Sequence, residues 1–163
     1  MDKPREHGLY IIKDQFFSDF PSEYWSWNKA ENRPHFYALY LSGLYWMIPL
    51  SSQVEKYKGK IEKIETKRGV GNCIYYHIGL IANVERVFNI SDMFPVTEDY
   101  ILHSYYIGST PYIVRTNSLI DVIYSKAMTY LNLVRKGQLT NRNDILSIER
   151  SLLNRLNNAD YVI

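Results

Sequence analysis

Hydrophobic positions follow two patterns along the chain. Up to about residue 104 they come in short runs rich in β-branched and aromatic residues, broken by turn residues; beyond residue 118 they recur at helical spacing. Residues 8–13, 34–41, 44–50, 73–78 and 86–89 are therefore predicted as strands, with Ser42-Gly43 as the hairpin turn between the second and third. Residues 14–32 are aromatic and turn-rich, and their start is read as a short helix. Residues 51–58 suit a loop or a helix start, 69–72 a turn, and 97–104 a strand or a connector. Asp92-Met93-Phe94-Pro95 reads as a turn before another short element. Leu119, Ile120, Ile123, Ala127, Tyr130, Leu131 and Val134 mark a helix over 118–135, with Ser118 as its cap and Lys136-Gly137 as its stop. A second helix over 143–156 carries Ile145, Ile148, Leu152, Leu153 and Leu156 on one face. Strands first and helices last predict an α+β fold built on an antiparallel sheet.

The chain has 163 residues without internal repeat or linker composition, as expected of one domain spanning 1–163. Hydrophobic residues make up 46% and charged residues 22%, the balance of a globular chain. Aromatic content is 15%, carried mainly by 15 Tyr, whose flat bodies and polar tips suit a core margin or a surface on which bases stack. The formal charge of +2 says nothing about clustering. Cys73 is the lone cysteine, so it cannot form an internal disulfide and is read as a small core residue. With no signal-like N-terminus and no apolar run near the roughly 20 residues that span a bilayer, a cytoplasmic protein without membrane partners is expected.

His7, His35, His77 and His103 are scattered outside any metal-binding spacing, no DxD pair of acidic residues occurs, and no glycine-rich phosphate loop is present. No metal and no cofactor is expected. The informative region runs from Asn28 to Tyr57. If residues 34–41 and 44–50 pair as a hairpin, Lys29, Arg33 and His35 approach Ser51, Ser52 and Lys56. Such a cluster binds a phosphate: cations for phosphorane charge, hydroxyls for hydrogen bonds, and an imidazole for proton transfer. Cleavage of RNA without metal needs little more. Each residue also has a plainer reading. Ser51-Ser52 suits a turn or helix cap, His35 a hydrogen-bonded structural residue, and Arg33-Pro34 a strand start. The charged run Lys56–Arg68, including Lys58, Lys60, Lys63 and Lys67, suits either a solvated face or an RNA-backbone groove.

Gly8-Leu9-Tyr10-Ile11, the Arg33-Pro34 lead into the next strand, and the block Trp46-Met47-Ile48-Pro49-Leu50-Ser51-Ser52 together resemble the ToxN/AbiQ family of type III toxins, and its CptN branch most. The Pro-Leu-Ser-Ser block is the most specific of these. Weaker likeness continues through residues 88–95 and 126–137. The resemblance implies a compact, strongly twisted antiparallel sheet of the MazF/Kid kind, SH3-like, with helices around it. It implies a metal-independent endoribonuclease that cuts A-rich mRNA and its own antitoxin precursor, leaving 2′,3′-cyclic phosphate and 5′-hydroxyl ends. The implied partner is a repeated, pseudoknotted RNA antitoxin that inhibits the toxin in a closed multi-subunit assembly, with abortive infection or plasmid maintenance as the role; DNA is not an implied partner. Ser52 matches an active-site position of the family. Many relatives carry lysine two positions after that serine, where this chain has Val54, so Lys56 is assigned its place. The expected catalytic set is Ser52, Ser51, Lys29, Arg33, His35 and Lys56, with His35 as acid or base. The expected RNA-binding set is Tyr10, Tyr57, Lys58, Lys60, Lys63, Lys67 and Arg68, and Trp46 is either a pocket residue or core. A non-catalytic RNA-binding module is the alternative; a gyrase poison on the related CcdB-like fold gains nothing from the C-terminal Asp160-Tyr161-Val162-Ile163.

Overall fold

The computed structural model describes residues 3–25 and 31–161. Its first strand, β1 (Leu9–Ile12), is buried throughout and pairs antiparallel with strands on both sides. Helix α1 (Asp14–Asp19) and a single helical turn over Glu23–Trp25 follow. They place Phe16 in an aromatic cluster with Phe17, Phe20, Trp25, Phe94 and Tyr100, stacked on Phe94 at 4.7 Å.

Strands β2 (His35–Leu41) and β3 (Leu44–Ser51) form the central hairpin. Ser42 and Gly43 both have positive φ, 55° and 88°, the geometry whose twist matches a two-residue hairpin and which glycine adopts without strain. A register shift between Tyr37 and Leu39 breaks strict alternation. All eight residues of β3 are buried, so both faces of this strand are inside. Helix α2 (Val54–Arg68) comes next, then the hairpin of β4 (Tyr76–Ile81) and β5 (Val84–Asn89), a turn over Ile90–Asp92, β6 (Phe94–Val96) and β7 (Ile101–Ser104). The sheet runs β4-β5-β3-β2-β1-β7, with β6 beside β3 as its seventh strand. Every pairing in it is antiparallel.

A small hairpin, β8 (Tyr106–Ile107) and β9 (Thr110–Pro111), precedes helices α3 (Asn117–Arg135) and α4 (Ile145–Tyr161). Helix α3 buries Ile123, Ala127, Tyr130, Leu131 and Val134, the stripe predicted from spacing. The two helices are tied by a bidentate pair in which Arg135 donates to both oxygens of the buried Glu149 at 2.7 Å. The α+β class and antiparallel sheet agree with the sequence expectation.

Several local expectations are refined or corrected. Of the two readings of residues 51–58, the helix start holds: a 15-residue helix begins at Val54 and takes in the whole charged run to Arg68. Strand β4 begins at Tyr76 rather than Cys73, which is buried in the irregular segment before it. Thr116, not Ser118, precedes α3 as its capping position, and α4 starts at Ile145.

Candidate functional site

The β2–β3 register determines what comes together. His35 pairs with Pro49, and Leu50 N–H donates to the Pro34 carbonyl at 3.1 Å, so the chain entering β2 lies beside the chain leaving β3. Arg33 thereby reaches Ser51 and Ser52. The Gln53 N–H donates to Ser51 Oγ at 3.1 Å and the Val54 N–H to the Ser52 carbonyl at 2.9 Å. These two bonds turn the chain into α2. Gln53, Lys56, Tyr57 and Lys60 then fall on one face of the helix, as their spacing requires, and line a cavity of about 300 Å³ with Arg33, Ser51 and Ser52. Asn89, Asp92 and Arg142 close the opposite wall.

Arg33, Lys56, Lys60 and Arg142 give this cavity a strongly positive lining, and Asp92 is its one carboxylate. That carboxylate is fully buried and engaged by four donors. Oδ1 accepts from Arg142 Nε at 3.0 Å and Asn143 Nδ2 at 3.1 Å; Oδ2 accepts from Arg142 Nη2 at 2.7 Å and Asn89 Nδ2 at 3.0 Å. Asp92 therefore orients Arg142, and its charge also acts on Arg33 and Lys60, leaving four cations against one carboxylate. The hydrogen bond from Arg142 to Asp92 raises the guanidinium pKa, while Arg142 also lies over the Tyr24 ring at 4.5 Å. Burial lowers the pKa of Arg33. Burial, then Lys56 and Arg142, lower that of the Lys60 ammonium, making it a better acid than an ordinary lysine. Burial and the Asp92 charge raise that of the Tyr57 hydroxyl. The Tyr57 ring sits 4.8 Å from that of Tyr76, with Lys60 5.0 Å from its centroid. The N-terminus of α2 adds its positive dipole end beside Ser52. Together these groups form a concave cationic site with hydroxyl and ammonium groups in its lining.

Of the expected catalytic residues, Arg33, Ser51, Ser52 and Lys56 line this cavity. Lys29 lies outside the described residues. His35 does not line it: the imidazole is fully buried, 5.4 Å from Phe94 and 6.3 Å from Phe17, with Nδ1 3.0 Å from the Arg33 carbonyl oxygen. Burial, followed by the nearby Arg33 charge, pushes its pKa down to about 3, so it is neutral and shielded from any bound substrate. The acid–base assignment is withdrawn on that physical ground. Trp46 is fully buried in the core.

Tyr57 and Lys60 of the expected RNA-binding set face the cavity. Lys58 points to the other side of α2, paired with Glu55 at 3.5 Å and Glu85 at 3.4 Å, and lines a larger cavity of about 540 Å³ against β4. Lys63 and Lys67 are exposed on α2, and Arg68 lies 6.0 Å from the Tyr75 ring. Tyr10 is mostly buried, away from this cavity on the β1 side. Sequence reasoning missed Arg142, Asn89 and the role of Asp92; the polar run Thr140-Asn141-Arg142-Asn143 between two apolar helices was the only visible signal for Arg142. Among the described residues, no group of three His, Cys, Asp or Glu side chains is placed to hold a metal ion.

No protein-family model and no curated protein matches the chain. A solved structure does. It is described as "A processed non-coding RNA regulates a bacterial antiviral system", and a chain of it aligns over 83% of this chain and 90% of its own length, with TM-score 0.52 and 16% identity. The chain shares the fold of that antiviral-system protein. This agrees with the fold implied by the ToxN/AbiQ resemblance. At 16% identity the likeness carries no residues across, so the site stands on its own geometry. Among the described residues, no helix is long and apolar enough to cross a membrane.

Proposed function

We propose that this chain is the toxin of a type III toxin–antitoxin system, a cytoplasmic, metal-independent endoribonuclease of the ToxN/AbiQ type on the CptN branch. The observation that carries the proposal is the convergence of Arg33, Ser51, Ser52 and Lys56, with Lys60 and Arg142, on one cationic cavity. The structural likeness to a protein of an RNA-regulated antiviral system supports it.

In the proposed reaction the 2′-oxygen of RNA gives up its proton to solvent water and attacks the adjacent phosphorus. The O2′–P bond forms and the P–O5′ bond breaks, leaving a 2′,3′-cyclic phosphate and a 5′-hydroxyl. Arg33, Lys56 and Arg142 surround the phosphate and stabilise the charge that builds on it. Ser51 and Ser52 hydrogen-bond the phosphate or the 2′-hydroxyl. Lys60, its proton loosened by burial and two neighbouring cations, donates to the departing 5′-oxygen. Tyr57 offers a ring for stacking. A-rich mRNA and the antitoxin precursor are the substrates, and a repeated pseudoknotted RNA occupies the same cavity as inhibitor in a closed toxin–RNA assembly. A non-catalytic RNA-binding module would use the same cationic surface.

Purified protein incubated with labelled A-rich RNA in excess EDTA separates the two. Fragments ending in 2′,3′-cyclic phosphate are expected, falling about 10²–10³-fold in rate in Ser52→Ala. RNA that is bound but left intact refutes the nuclease and leaves the binding module; no binding removes both.

A further inference from the structure

Helix α2 has a second face. Away from the cationic cavity, Ile61, Val70, Tyr76 and Ile78 line the cavity of about 540 Å³ between α2 and β4, and Lys126 reaches it from α3. Its size falls within the roughly 300–1,000 Å³ of small-molecule pockets, which pair apolar walls with a few placed polar groups. The turn that follows α2 is a formed wall. The Gly71 N–H donates to Glu65 Oε2 at 3.0 Å, the Asn72 N–H to the Gly69 carbonyl at 3.1 Å, and the Asn72 side-chain amide to the Arg68 carbonyl at 2.7 Å. Val70, 93% exposed, stands on that turn with nothing covering it.

The charged groups around the cavity differ in how far they are satisfied. Lys58 is paired with Glu55 and Glu85, Glu65 is engaged by Gly71, and Glu62 is exposed to water. Lys126 is half-buried, and its ammonium donates to His77 Nδ1 at 3.1 Å. Burial, then the Lys126 charge, pushes the His77 pKa down to about 4, so the imidazole is a neutral acceptor that offsets no charge. Among the described residues Lys126 forms no ion pair, and Glu65 acts on it from beyond pairing distance.

We propose that this cavity is a second binding site, for a small aromatic monocarboxylic acid, whose ring packs against Ile61, Tyr76 and Ile78 and whose carboxylate pairs with the Lys126 ammonium. One unpaired cation suits one negative charge, and Glu62 and Glu65 beside it disfavour a polyanion. The proposal does not depend on what the cationic cavity does. The two sites share a wall, because the Tyr76 ring lies 4.8 Å from that of Tyr57, which lines the cationic cavity. Since α2 buries no residue of its own, a ring held between it and β4 adds apolar contact that the helix lacks. Occupancy thus holds α2 to the sheet.

The test titrates the intact chain with sodium naphthalene-2-carboxylate, followed by amide NMR shifts, beside the neutral carboxamide and the cationic naphthalene-2-methylammonium. The carboxylate is expected to bind with a Kd of about 1 mM or tighter, and both analogues at least about tenfold more weakly. Lys126→Met should weaken carboxylate binding about tenfold, while Lys56→Ala, in the cationic cavity, should leave it unchanged. At ten times Kd, exchange of α2 amides through local opening should slow by about 11-fold. No binding of the carboxylate overturns the site, and so does equal binding of either analogue. Loss of binding in Lys56→Ala in place of Lys126→Met assigns the acid to the cationic cavity and also overturns it. Unchanged α2 exchange with the carboxylate bound overturns the hold on the helix. If Lys126→Met melts early, the three ligands on the parent chain still decide the matter.

Discussion

Asp92→Asn looks conservative in shape but is predicted to be costly, because every neighbour of the carboxylate is a donor. Two donors face each oxygen, and replacing one oxygen with an amide NH₂ leaves two of them pointing at another donor. The neighbours cannot turn to adapt. Asn89 Oδ1 already accepts from Ser91 Oγ at 3.0 Å, and Asn143 Oδ1 from Ser22 Oγ at 2.6 Å, so flipping either amide sacrifices another bond. A hydrogen bond to a buried charged group contributes about 1.5–3 kcal/mol, and two are lost. Arg142 is 48% exposed, so water recovers part of its share, and the net loss is expected at about 2–4 kcal/mol. For a chain of this size that lowers Tm by roughly 10 °C. Urea unfolding followed by circular dichroism, with Asp92→Asn, Arg142→Ala and the double variant, measures both the loss and the coupling within the pair. Stability of Asp92→Asn within about 0.5 kcal/mol of the parent would refute the donor-only account of this site.

Two further outcomes are expected. The buried His35 holds a pKa of about 3 when folded and titrates near 6.5 when unfolded, so the unfolded chain takes up the proton first. Stability present above pH 6.5 is therefore lost as pH falls towards 3, by about 2 kcal/mol at pH 5. His77, pushed down to about 4 by burial and Lys126, acts in the same direction. Urea midpoints at pH 7 and pH 5 measure the fall, which should be smaller in His35→Leu; equal pH dependence in both proteins would show that His35 is not its source. At the site, Lys56→Ala is expected to lower kcat for RNA cleavage by about 10²-fold with little change in stability, since Lys56 is exposed and lines the cavity. Full activity would mean that Lys56 does not stand in for the lysine that relatives place where this chain has Val54.

Much of the fold was legible because its signals are local. Ser42-Gly43 between two β-rich runs fixed the central hairpin, and with it the meeting of Arg33 with Ser51 and Ser52. The buried stripe of α3 repeats at helical spacing. What stayed hidden has physical causes. Helix α2 buries no residue, so it has no apolar stripe to reveal its period; its contacts with the sheet are half-buried or exposed ones such as Tyr57 with Tyr76 and Lys58 with Glu85. His35 was misassigned because alternation separates faces only when one face is wet, and here β2 is buried on both from His35 to Leu39. Arg142 meets Asp92 across 50 positions of sequence, and nothing near either residue announces the other. The β8–β9 hairpin has two-residue strands, too short for periodicity to register.

The absence of a buried residue in α2 has a consequence for how the chain lives and dies. This helix supplies Lys56, Tyr57 and Lys60 to the cavity, yet it is anchored to the body only along its margin. Elements with few buried apolar contacts open most readily by local unfolding, so the backbone amides of α2 should exchange with solvent ahead of those of β3, and a protease should find this segment first. A polyanion spanning from its first turn to Arg33 and Arg142 would clamp it shut. Occupancy of the site and lifetime of the polypeptide would then be two readouts of a single equilibrium, with the unoccupied chain the shorter-lived.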